Sequence, residues 1–158
     1  MMVSLWLCTV SGVQAATESA PASDNGVILL AATGKATITL TPRTNILEGL
    51  ATGGLILASW QANATVGSIA FRLNPTVVKQ YTTPTYLDGY IQMSPSPIAQ
   101  IEIYVDHDCG STTLTGTWRV CPAGKSSVSG YIRTKSGLTQ NLRGGTYPIA
   151  MDAVAWTP

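Results

Sequence analysis

GTYPIAMDAVAWTP, residues 145–158, is the stretch whose reading decides the fold. Gly144 and Gly145 supply a turn, and from there the residues alternate with the two-residue period of a pleated strand. Tyr147, Ile149, Met151, Ala153 and Ala155 fall on one face. Ala150, Asp152, Val154 and Trp156 fall on the other. A strand apolar on one face and half apolar on the other belongs inside a sheet rather than at a solvated edge. No strand follows Trp156 in the sequence, so something from elsewhere has to cover its far side, and the N-terminal region offers a candidate.

Working outward, the whole chain has 158 residues, enough for one domain with a sizeable core. Charged residues make up 11% and the formal charge is +1, with the basic residues scattered between Lys35 and Arg143. A nucleic-acid binder needs a basic face, and none is visible. Small and hydroxylated residues abound and Glu–Lys helical pairs are absent, as in an all-β extracellular domain.

Residues 1–15 (MMVSLWLCTVSGVQA) read as an export signal peptide. Val3 to Val10 form an apolar core, and Val13-Gln14-Ala15 fits the small-x-small cleavage pattern. The segment is too short to span a membrane as a helix. It lacks a Lys or Arg ahead of the apolar core, so the true start codon is expected either upstream or in front of a weak signal. Of the three cysteines, Cys8 leaves with the signal, and Cys109 and Cys121 remain. In an oxidising compartment that pair predicts one disulfide, which loop-closure entropy values at about 3 kcal/mol. Zinc is disfavoured because His107 with Asp106 or Asp108 and the cysteines falls short of a ligand set.

The mature chain opens with ATESAPASDN (16–25), a flexible polar tail. GVILLAA (26–32) follows, an apolar run bounded by glycine whose length and β-branched start favour a strand. After Thr33 and Gly34 comes a cleanly alternating strand, KATITLT (35–41), ended by Pro42. Those two runs form either a hairpin or an arm followed by the first strand of the domain, placed over 35–158. Further strands are expected at 55–62, 68–73, 86–93, 98–105, 115–121 and 127–134, separated by Gly-Gly, Asn-Pro and Ser-Pro-Ser-Pro breaks. With the final strand this makes about eight short strands and no helix, an immunoglobulin-like antiparallel β-sandwich.

Catalysis finds no support. His107, the only histidine, lies in Asp106-His-Asp-Cys-Gly110, read as a solvated loop. No nucleophile elbow, paired acid/base carboxylates or phosphate-cradling loop occurs; residues 49–54 (GLATGG) lack the Lys-Ser/Thr ending. No cofactor is expected. Asn63-Ala-Thr65 is a glycosylation sequon of a kind that arises often by chance. Trp60, Trp118 and Trp156 read as packing residues. An exported carbohydrate-binding sandwich is the alternative reading, with Trp60, Tyr81, Tyr86 and Tyr90 as its aromatic candidates.

The closing segment 145–158 resembles the C-terminal strand of fimbrial subunits assembled by the chaperone–usher pathway. It is closest to Saf-type pilins and more distantly similar to Dr/Afa-type adhesive subunits. Thr117-Trp-Arg-Val120 and Ala36-Thr-Ile-Thr-Leu-Thr-Pro42 also resemble Saf-type segments. The likeness covers both ends and about half of the mature chain. It implies a sandwich lacking its last strand, with the gap filled first by a periplasmic chaperone and then, at an outer-membrane usher, by the N-terminal arm of the next subunit. The arm would be 24–32, with Gly26, Ile28, Leu30 and Ala32 entering the partner and Val27, Leu29 and Ala31 facing away. Tyr147, Ile149, Met151, Ala153 and Trp156 would form the acceptor groove. Partners would then be other copies or other fimbrial subunits, the chaperone, the usher and a host-surface receptor, and the chain would reach the cell surface through the periplasm. A tip adhesin or invasin of the same fold is a further alternative. Two features depart from the family pattern: Cys109 and Cys121 lie mid-chain, and the arm is more continuously apolar than strict alternation.

Overall fold

A computed structural model describes residues 34–157. The signal peptide, Cys8 and the arm residues Gly26, Ile28, Leu30 and Ala32 therefore lie outside the described residues.

Eleven strands form among the described residues, in the order β1 (Ala36–Pro42), β2 (Gly49–Thr52), β3 (Ile56–Ala64), β4 (Ser68–Leu73), β5 (Asp88–Gln92), β6 (Gln100–Val105), β7 (Thr113–Thr115), β8 (Trp118–Val120), β9 (Ser127–Thr134), β10 (Thr139–Leu142) and β11 (Met151–Trp156). A five-stranded sheet runs β1-β3-β9-β6-β5, a four-stranded sheet runs β11-β4-β8-β7, and β10 pairs with β2 in a small ribbon. Every pairing is antiparallel. This is the expected all-β immunoglobulin-like sandwich.

The alternation in β3 shows how the sequence builds the two layers. Ala58, Trp60 and Ala62 are buried, whereas Ser59, Gln61 and Asn63 are exposed. From the facing sheet β4 sends Ile69, Phe71 and Leu73 inward, each fully buried. Phe71 packs on Trp60 with ring centroids 4.7 Å apart, at the centre of a core that Ile103, Val128 and Ile132 complete. Burying each such side chain is worth about 2 kcal/mol against leaving it in water. Thr134 is a fully buried polar residue of the core. Its hydroxyl accepts from Leu55 N at 2.9 Å and donates to Thr52 O at 3.1 Å, so no buried polar group is left unpaired there.

Several sequence expectations need correction. The strand placed at 115–121 is a hairpin of β7 and β8, because Gly116 takes a left-handed turn (φ 61°). Ribbon strands β2 and β10 are additional to the strands expected from the sequence, and part of GLATGG forms β2. The last strand is regular only from Met151, because Pro148 has no N–H to donate to a ladder. Residues 86–93 and 98–105 shorten to β5 and β6, and β1 extends to Pro42.

Cys109 and Cys121 form the expected disulfide, with Cα atoms 5.7 Å apart. It links the segment after β6 to the end of β8, and so joins the two sheets covalently.

Gly130 of β9 lies opposite Trp60, and a Cβ there would run into the backbone carbonyl of Asp106. That carbonyl also accepts the Trp60 indole N–H at 3.2 Å. Gly130→Ala is expected to lower stability by about 1–3 kcal/mol through this backbone clash, read as the urea midpoint. An unchanged midpoint would show that β9 and the 106–108 segment separate freely.

Candidate functional site

The site is built on two strand edges. β11 is hydrogen-bonded to β4 from Met151↔Leu73 to Trp156↔Ser68, and it has no ladder on its other side among the described residues. β1 is likewise bonded only to β3. The two strands run close to one another without pairing, and each ends its sheet. Their inward side chains rest on the core: Ala36, Ile38 and Leu40 from β1, and Met151 and Ala153 from β11. Tyr147 and Ile149, just before β11, pack against the same core. The alternation thus puts Tyr147, Ile149, Met151 and Ala153 together. Trp156 pairs with Ser68 and lies on the opposite face by the two-residue period.

At the end of the domain where β1 finishes, the sandwich opens into a cavity of about 340 Å³. Leu57, Ile91, Ile101, Leu142, Tyr147 and Ile149 give it an apolar lining, and Arg43, Glu48 and Arg143 stand around it. The connection between β1 and β2 borders this opening. Asn45 turns it in the left-handed region (φ 64°). Glu48 Oε2 accepts from Gly144 N at 3.2 Å, and the Tyr147 hydroxyl donates to Arg143 O at 3.0 Å. Ile46, Leu47 and Leu50 are exposed here, Leu47 to 84% and Leu50 to 81%. Leu47 in the connection and Leu50 in β2 thus stand bare close together beside the cavity. No sequence pattern singled them out, because Leu47 and Leu50 do not fall on an alternating run.

At the other end of β11 the described chain begins. A Cβ on Gly34 would fall 2.6 Å from Val66 Cγ2 and 2.9 Å from Ala155 Cβ. Gly34 therefore lies beside the C-terminal end of β11, and the cavity lies toward its N-terminal end. Chemically, such an edge can accept a further strand: backbone N–H and C=O groups for a ladder, with apolar pockets beneath for alternate side chains.

The aromatic residues of the carbohydrate-binding alternative do not converge. Trp60 is 3% exposed and belongs to the core. Tyr81 and Tyr90 sit near each other, ring centroids 6.1 Å apart, on the outside of the five-stranded sheet. The Tyr81 hydroxyl donates to Glu102, and the Lys135 ammonium lies 4.2 Å from the Tyr81 ring centroid while pairing with Asp88 at 3.0 Å. Burial, and then the Glu102 hydrogen bond and charge, push the Tyr81 phenol up to about 12. This is a satisfied surface network, worth at most about 1 kcal/mol per exposed pair. Among the described residues no group of three or more His, Cys, Asp or Glu side chains is placed to hold a metal ion.

His107 is not the solvated loop residue expected. Its ring packs edge-on against Phe71 at 5.3 Å, and Nδ1 lies 3.6 Å from Cys109 Sγ. Asp108 beside it caps β9, accepting from Ser129 N at 2.9 Å and from Ser129 Oγ at 3.1 Å.

Comparison with solved structures places this fold. The Salmonella SafD adhesin matches with a TM-score of 0.63 and 18% identity, over 78% of this chain and 88% of that one. A structure of enteroaggregative Escherichia coli AAF fimbriae, titled for fibronectin binding and biofilm formation, matches with a TM-score of 0.60 and 13% identity, over 75% and 86%. The E. coli Hda pilus minor tip subunit, HdaB, gives 0.58 and 15%, over 75% and 79%. The sequence matches no protein-family model and no curated protein. The chain has the immunoglobulin-like fold of chaperone–usher fimbrial subunits and adhesins, in agreement with the resemblance of its terminal strands.

Burial, reinforced by the Arg119 charge, holds the His107 imidazole below its ordinary value of 6.5, against the opposite pull of Asp106 and Asp108. Below 6.5 the unfolded chain takes up a proton that the folded chain refuses. Stability is therefore expected to fall as pH drops from 6.5 and to level off below the folded-state value. Asp108 acts in a lower window: the Ser129 hydrogen bonds lower its carboxyl, and that contribution is lost only on acidification below 3.8. Urea midpoints of the wild type should decline between neutral pH and about 5, and His107→Gln should lack that decline. Parallel curves would remove His107 as its source.

Proposed function

We propose that this chain is a subunit of a bacterial surface fimbria, exported through the periplasm and polymerised by donor-strand exchange through the chaperone–usher pathway. The observation that carries the reading is β11: an apolar inward face over the core, one edge paired to β4 and, among the described residues, no ladder on the other edge beside β1. A periplasmic chaperone first covers this groove. At the outer-membrane usher the arm of a neighbouring subunit replaces it. Gly26, Ile28, Leu30 and Ala32 of one copy enter the groove of the next, over Tyr147, Ile149, Met151 and Ala153. Main-chain hydrogen bonds and about 2 kcal/mol per buried aliphatic side chain hold the joint. The fibre serves adhesion to a host-surface receptor. No enzymatic step belongs to this function.

A second reading follows from the neighbours. SafD is an adhesin and HdaB a minor tip subunit, and a tip subunit accepts a strand without donating one.

A chain starting at Gly34 is to be refolded with and without a peptide spanning residues 24–34. The peptide is expected to raise the thermal midpoint by about 10 °C or more, and the Ile28→Asp and Leu30→Asp peptides are expected to fail. The chain from residue 16 should in parallel form multimers that the same two substitutions abolish. A response to the peptide without multimers selects the tip reading. A truncated chain that is stable, monomeric and indifferent to the peptide is a complete domain, and the fimbrial reading then fails.

A further inference from the structure

Four exposed aliphatic side chains collar the cavity end of the domain. Ile46, Leu47 and Leu50 stand on one side of Glu48 and Arg143, and Ile98, 66% exposed, stands on the other. A single bare aliphatic is ordinary on a protein surface, but four around one opening make a patch of the kind that protein contacts cover. β1 runs to this end, at Pro42, from the opposite end at Ala36, a distance of roughly 20 Å. At that opposite end Gly34 lies against Val66, which is 43% exposed in the turn between β3 and β4.

The length of the chain says what covers the collar, given the fimbrial reading above, on which this inference rests. The proposed arm ends at Ala32, and two residues later Gly34 already lies beside Val66 of its own domain. Two residues reach at most about 7 Å. A copy whose arm fills the groove of its neighbour therefore brings its own β3–β4 turn against one end of that groove. Of the two ends, the one beside Tyr147 carries the collar. A copy seated at the Trp156 end would leave all four aliphatics in water at every joint.

We propose that the collar of Ile46, Leu47, Leu50 and Ile98 is covered in the fibre by the β3–β4 turn of the donating copy, with Val66 against Leu47 and Leu50. Successive domains are then stacked in contact rather than strung on a free linker. The same contact orients the arm, with Ala32 at the Tyr147 end and Gly26 toward Trp156. Arg43 and Arg143 stand on one surface and Lys35 on the other, so apolar burial and not ion pairing holds the two together.

The test uses the chain from residue 16 carrying Val66→Cys together with either Leu47→Cys or Leu50→Cys, all at exposed positions that tolerate substitution. Multimers are isolated by size exclusion, oxidised briefly with copper phenanthroline and run on a denaturing, non-reducing gel. A disulfide needs Cα atoms within about 7 Å, so at least one pair should give a covalent ladder beyond the dimer that reductant collapses. Each single cysteine variant should run as a monomer. Multimers of both double variants that yield no ladder overturn the contact and leave the fimbrial reading standing. Dimers from Leu47→Cys alone would mean that like ends meet, and overturn it as well. If the cysteine pairs prevent multimers from forming, Leu47→Ser with Leu50→Ser decides: its multimers should release subunits roughly 10-fold faster than wild type, and an unchanged rate overturns the contact. A wild-type chain that stays monomeric removes the fimbrial reading and this contact with it.

Discussion

Among the described residues β11 is laddered on one side only, to β4, and much of the domain is arranged around that fact. From Met151 to Trp156 the strand satisfies its backbone toward β4 and sends Met151 and Ala153 into the core. Removing β11 would leave an open cut along its sheet neighbour β4, whose Ile69, Phe71 and Leu73 are fully buried. The other edge of β11 has no ladder among the described residues, and a strand edge of this kind carries donors and acceptors that natural sheets usually shield. β1 does not shield it. It is laddered to β3 over its whole length, from Ala36↔Ala64 to Pro42↔Ala58, and runs beside β11 without pairing to it.

A sandwich with such an opening needs a second means of keeping its layers together. The five-stranded sheet has its own closed network of Trp60, Ile103 and Ile132 packed on Phe71. The disulfide then fixes the far side of the four-stranded sheet, where β7 and β8 are only three residues each and contribute short ladders. Loop-closure entropy makes the bridge worth about 3 kcal/mol, comparable with burying one or two aliphatic side chains. Arg72 adds a polar fastening on the outer face, pairing with Asp152 of β11 at 2.9 Å and lying 4.2 Å from the Trp118 ring centroid, so that β11, β4 and β8 are joined across their width.

Sequence alone places β4 and β9 at their bounds, because turn residues flank each strand and its inward positions carry large aliphatics. The fold class follows from the same alternation. What escapes is structure that burial does not write into the sequence. β2 and β10 form a ribbon of GLAT against TQNL, mostly exposed and without an apolar face. The β7–β8 hairpin turns on one glycine inside what reads as a single run. His107 reads as solvated because its neighbours Asp106 and Asp108 are polar, yet those carboxylates point to Arg133 and Ser129 and leave the ring to Phe71. Of the candidate groove, Tyr147, Ile149, Met151 and Ala153 are legible from their period, whereas the cavity beyond them depends on Leu57, Ile91, Ile101 and Leu142 meeting across four strands and no local pattern encodes that.

The two ends of β11 differ in a way that bears on assembly. Gly34 enters beside Ala155 and Val66, and the apolar cavity opens beside Tyr147, toward the start of the same strand. A contact that joined identical surfaces across a two-fold axis would have to bring one end to itself. Gly34 at one end and an apolar cavity at the other instead favour a contact between unlike surfaces, which repeats as a ring or as an open filament according to its rotation. Leu47 and Leu50 reinforce the asymmetry, since the bare leucines stand at the cavity end and Lys35 and Thr65 stand where the described chain begins. In the proposed fibre, direction is thus a property of a single domain before any partner is added: the polarity of β11 becomes the polarity of the polymer.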